Sequence, residues 1–69
     1  MDRLTVYDFY GRNLGSVETQ SNGDRIARDF YGAVLGRYIR SENVTKDFYG
    51  KTLARCDITT GMVYYNSNR

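Results

Sequence analysis

The sequence predicts an all-β chain. It reads as an antiparallel meander of about seven short strands, built from three and a half hairpin repeats about 18–21 residues apart. The arrangement expected is flower- or propeller-like, with pseudo-rotational symmetry. Three observations carry this. The tetrapeptide Asp8-Phe9-Tyr10-Gly11 returns unchanged as Asp29-Phe30-Tyr31-Gly32 and as Asp47-Phe48-Tyr49-Gly50. Each copy has a Leu three residues after its Gly (Leu14, Leu35, Leu53), followed by a small residue (Gly15, Gly36, Ala54). The flanking runs are short, rich in β-branched and aromatic residues, and free of proline.

The repeated tetrapeptide reads as a hairpin tip. Asp8, Asp29 and Asp47 stand where a side-chain carboxylate can accept backbone N–H groups and fix a type I turn. Gly11, Gly32 and Gly50 stand where the chain must take a left-handed conformation that other residues resist. Such a turn plus glycine joins two strands through a G1 bulge. The small residue after each Leu predicts that a neighbouring backbone or ring packs closely there.

The elements follow in order. Met1-Asp2-Arg3 is a lead-in, and Leu4–Tyr7 is the first strand. Arg12 to about Thr19 is the second, and Gln20–Asp24 turns on its Asn-Gly pair. Arg25–Arg28 and Ala33–Arg40 flank the second tip. Ser41–Asn43 turns, and Val44–Lys46 leads to the third tip. Lys51 to about Asp57 is the sixth strand, Ile58–Gly61 turns, and Met62–Tyr65 is expected as a seventh. The whole chain, residues 1–69, is one domain with repeats near 4–23, 24–42 and 43–61 and a partial fourth over 62–69. In that fourth repeat Asn66 follows Val63-Tyr64-Tyr65 as Asp8 follows Thr5-Val6-Tyr7. A small SH3-like or OB-like barrel is the competing architecture.

Composition narrows the function. At 69 residues the chain has room for one small core. A single cysteine, Cys56, and no histidine leave no intrachain disulfide, no structural zinc site and no Ser–His or Cys–His catalysis. Cys56 is expected as a small, at least half-buried residue. No cofactor is expected, and the chain reads as non-enzymatic. The net charge of +2 comes from basic residues interleaved with acids, so nucleic acid is the less favoured partner. No apolar run reaches membrane-spanning length and none follows the initial Met, which points to a cytoplasmic protein without a membrane partner.

The phrase Tyr7-Asp8-Phe9-Tyr10-Gly11-Arg12-Asn13-Leu14-Gly15 resembles the Tyr-Asp-x-x-Gly-Arg-x-Leu/Ile-Gly phrase of small bacterial β-flower proteins. It is also similar to the YD repeats of Rhs and teneurin shells. The resemblance runs from Leu4 to about Asn66 and implies short hairpin petals around an axis. It implies no activity. Arg28 and Lys46 replace the Tyr before the Asp in the second and third copies, and Ala33 and Lys51 replace the Arg after the Gly. Three and a half repeats are too few to enclose a shell, which favours the β-flower comparison.

Two functional readings follow. The first is a protein-binding or self-associating module, a homodimer above all, whose terminal strands are open edges and whose Tyr64 and Tyr65 lie at that edge. The second is a module for carbohydrate or single-stranded nucleic acid. It would use Tyr10, Tyr31 and Tyr49 as stacking rings, with Arg12, Arg37, Lys51 and Arg55 nearby. In each Phe-Tyr pair one ring is expected inside and one partly outside. A buried Phe30 would cost about 3–5 kcal/mol on truncation to Ala.

Overall fold

The computed structural model describes residues 2–67. Met1, at the start of the expected lead-in, and Asn68-Arg69, at the end of the expected fourth repeat, lie outside the described residues. The strands are β1 (Asp2–Tyr7), β2 (Asn13–Thr19), β3 (Arg25–Asp29), β4 (Val34–Ile39), β5 (Val44–Asp47) and β6 (Thr52–Ala54). They form one sheet in sequence order, each antiparallel to the next. The meander expected from the sequence is therefore present. β1 and β6 are the two ends of the sheet and do not pair with each other, so the sheet does not close within the chain.

The expected seventh strand is a helix instead, α1 (Thr59–Ser67). The reason lies in capping and burial. The Asp57 carboxylate accepts the Thr59 backbone N–H at 3.0 Å and the Thr59 hydroxyl at 2.6 Å. The Ile58 carbonyl accepts the Met62 N–H at 2.9 Å, closing the first turn. Thr59, Met62, Val63 and Asn66 then recur at helical spacing and face the sheet; Thr59 and Val63 are fully buried. The β-preference of Val63-Tyr64-Tyr65 loses to this packing, because propensity is a weak prior beside tertiary burial. Tyr64 and Tyr65 accordingly sit exposed on a helix and not on a sheet edge.

Each hairpin carries the same irregularity. Val6 pairs with Gly15 and Tyr7 with Asn13, so Leu14 is the extra residue of a bulge. Leu35 is skipped in the same way between β3 and β4, and Leu53 between β5 and β6. The bulges place Leu14 and Leu35 against the buried cluster of Val6, Val17, Ala27 and Val63. This core is built from Val and Ala, with no aromatic ring in it.

The helix rests on two glycines. A Cβ on Gly36 would collide with the Lys46 carbonyl and the Met62 methyl. One on Gly15 would collide with the Arg28 carbonyl and would stand 2.9 Å from a Val63 methyl. The close approach predicted at the small residues is thus made by strand backbone and helix side chains together. The third such residue, Ala54, lies on β6, outside the strands that α1 covers.

The crossover from β6 into α1 is held by side chains from three strands or turns. The Thr45 hydroxyl, buried, donates to the Cys56 carbonyl and accepts the Ile58 N–H at 3.2 Å. Asn43 Nδ2 donates to the Arg55 carbonyl at 3.2 Å. Arg25 on β3 reaches Asp57, 32 residues away. Cys56, expected to be at least half buried, is exposed in this crossover because the chain has already left the sheet. Burial works against the Asp57 charge, but the Thr59 hydroxyl, the Thr59 N–H and Arg25 outweigh it and hold this carboxyl below its ordinary value of 3.8.

Two outcomes follow. Gly36→Ala should lower stability in urea unfolding by about 1–3 kcal/mol, since an added methyl has no free volume beneath the helix; an unchanged midpoint would mean that the helix does not seat there. The ionised form of Asp57 favours the fold, so its contribution is complete above 3.8 and is lost as the pH falls through that value and on to the lower folded one. Thermal unfolding between about pH 5 and about pH 2 should show a falling midpoint, and Asp57→Asn should flatten that fall.

Candidate interaction surface

Because the strands meander, the three repeated turns share one end of the sheet, and the turns at 20–24 and 40–43 share the other. The three tips have the same hydrogen bonds. Asp8 N–H donates to the Arg12 carbonyl and Gly11 N–H to the Asp8 carbonyl, each at 3.0 Å. Asp29 and Asp47 repeat this with Ala33 and Gly32, and with Lys51 and Gly50. Gly11, Gly32 and Gly50 take φ of 82°, 87° and 88°. The turn read from Asp-x-x-Gly is therefore the turn found.

Each carboxylate serves its own turn. Asp8 Oδ1 accepts the N–H groups of Tyr10 (2.8 Å) and Arg12 (2.9 Å). Asp29 and Asp47 accept the matching pairs, Tyr31 with Ala33 and Tyr49 with Lys51. The Asp8 carboxyl is held below its ordinary range, first by the Arg12 N–H; burial opposes this, and the Arg12 side chain and the Tyr10 N–H outweigh that opposition. Among the described residues no three metal-ligating side chains gather.

With the backbone so occupied, the rings point away from the protein. Expecting one ring of each pair inside was wrong. All six are exposed, from 59% at Phe30 to 90% at Phe9, with Tyr31 and Tyr49 both at 89%. The turn geometry explains this: both residues are the central positions of a two-strand tip, beyond the last paired residues, and of the six rings Phe30 and Phe48 keep the most cover. Within each tip the Phe and Tyr rings meet edge to face, with centroids 5.7, 5.2 and 5.4 Å apart. Successive tips are two strands apart, which is about 10 Å, and the sheet twist turns them about 40–50° from one to the next.

The other candidates scatter. Arg12 is at the first tip, paired with Asp8 at 2.6 Å and 6.0 Å from the Tyr10 ring centroid. Arg37 is mid-strand on β4 and Lys51 follows the third tip. Arg55 is at the crossover, at the opposite end of the sheet from the tips. Tyr64 and Tyr65 are on α1. Sequence reasoning missed that Phe9, Phe30 and Phe48 belong to the same surface as the tyrosines. Their signal was available, since both central residues of a two-strand turn must leave the sheet. No helix among the described residues is long and apolar enough to cross a membrane.

Comparison with family models, with curated proteins and with solved structures finds no match for this chain.

The geometry separates glycine from ring at the second tip. Gly32→Ala should cost about 1 kcal/mol or more, since the positive φ strains any Cβ although the space is open. Phe30→Ala should cost less than about 1 kcal/mol, because an exposed ring has little burial to lose. A Phe30→Ala loss of several kcal/mol in chemical unfolding would mean that the ring packs inside.

Proposed function

We propose that this chain is a non-enzymatic interaction module that associates through its row of aromatic tips. A second copy of the chain is its first partner, and a different protein the next. The observation that carries the reading is the exposure of six aromatic rings at one end of so small a domain. Isolated apolar side chains on a surface need no explanation, but a contiguous set does. Six rings at about 150 Å² each would bury about 900 Å² per partner, near what a stable complex uses. A homodimer is the form favoured. On this reading the three hairpins are copies of one recognition unit. Flower-like symmetry would then be completed between chains, since the sheet itself stays open.

The competing reading uses Tyr10, Tyr31 and Tyr49 to stack on carbohydrate or single-stranded nucleic acid. It needs the same rings free, so association and ligand binding through them exclude each other.

Sedimentation equilibrium over a range of concentrations tests the first reading. The chain should form a dimer or larger assembly that the triple variant Tyr10→Ser, Tyr31→Ser, Tyr49→Ser loses while staying folded. A strict monomer at high micromolar concentration sinks self-association. Tyr64→Ser with Tyr65→Ser should leave the assembly intact, because those rings lie on the helix.

A further inference from the structure

Folding divides the charges unequally. Residues 2–33 hold four cations against five carboxylates; residues 34–55 hold five cations against two carboxylates. In the first part three of the cations are neutralised, by Asp8, Glu18 and Asp57. Among the described residues no ion pair includes Arg37 or Lys46. Yet these two are direct cross-strand neighbours on β4 and β5, on the face opposite the helix. Directly opposed side chains have Cβ atoms about 5 Å apart, and like charges so placed destabilise a sheet. The fold keeps this repulsion.

The pair borders a hollow. A concavity of about 300 Å³ is walled by Ile26, Val34, Arg37 and Phe48. An adjoining one of about 460 Å³ shares Arg37 and Phe48 and adds Lys46 and Tyr49. Asp47 lines both, but its Oδ1 is already bonded to the Tyr49 and Lys51 N–H groups. Two unpaired cations thus stand beside an apolar floor and two aromatic rings.

We propose that this hollow binds a nucleotide unit, with the phosphate between Arg37 and Lys46 and the base against Phe48 or Tyr49. An anion there would turn the repulsion of the two cations into attraction for a shared partner. The guanidinium of Arg37 offers the forked donors that match phosphate, and Lys46 adds a point charge. Phe48 and Tyr49 offer faces on which a base of any sequence can stack. The unit could come free or within a single strand; the recognising chemistry is the same. The site lies beside the third tip and shares Phe48 and Tyr49 with it, so association through that tip competes with the nucleotide and binding is read at concentrations below the onset of association; its cations are outside the associating surface.

The test uses fluorescence anisotropy with a labelled oligothymidylate, and amide NMR shifts with adenosine monophosphate and with inorganic phosphate. Wild type should bind the strand with affinity falling steeply with salt, and shifts should centre on β4, β5 and the third tip. Neutralising both cations (Arg37→Gln with Lys46→Gln) should weaken binding at least tenfold. The charge-matched control, Arg40→Gln with Arg55→Gln, should weaken it less than about twofold. The neutralised variant relieves a repulsion, so it should fold; circular-dichroism melting checks that, and Phe48→Leu gives an independent loss. Shifts with the mononucleotide identify a free nucleotide as the ligand, and binding of the oligomer alone identifies a strand. Equal weakening by both double variants, a response to inorganic phosphate as strong as to nucleotide, or no binding at low salt would each overturn the proposal. Sedimentation of the Arg37→Gln, Lys46→Gln variant should match wild type, which keeps this result separate from the association reading.

Discussion

The constraint on which the rest depends is the absence of side chains at Gly15 and Gly36. Val63 and Met62 reach the sheet only because two strands are bare at those points. The core that results is a layer of Val and Ala beneath one short helix. Without that layer the hairpins would be a single sheet with two wet faces, which rarely holds together alone. The bulges at Leu14 and Leu35 serve the same end, since they bring the repeated Leu and the bare glycine side by side under α1.

This layout explains where the rings are. In a small domain the largest apolar side chains are the usual core material. Here the helix comes too close to the sheet for a ring to fit between them. Eight of the ten aromatic residues stand at the tips or on α1, Tyr7 and Tyr38 lie on strands outside the buried cluster, and the interior is left to small branched residues. Exposure of the rings is thus a consequence of how the core is made.

The turns were legible in the sequence because their chemistry is local. Asp-x-x-Gly specifies its hydrogen bonds and its positive φ within five residues, and the same bonds appear at all three tips. Strand order followed from the turns. The small residues after each Leu announced a close approach, though not what approaches. The helix was not legible to a reading that extended the repeat, because Val63-Tyr64-Tyr65 before Asn66 imitates Thr5-Val6-Tyr7 before Asp8. The signal that decides it was present: Asp57 two residues before Thr59, then Thr59, Met62, Val63 and Asn66 at helical spacing. Arg37 and Lys46 could not be recognised as neighbours from sequence, since their meeting depends on the β4–β5 register.

A meander of like hairpins has no inherent end, because every added unit offers the same edge as the last. The described sheet holds three. The helix that ends it leaves the sheet after β6 and must travel back to find two bare positions, and the sheet has them only on β2 and β4. Ala54, at the matching place on β6, already fills its gap with a methyl. The spacing between the exit and the glycines is therefore a ruler: it fixes how many strands lie between the bare positions and the exit into the cover.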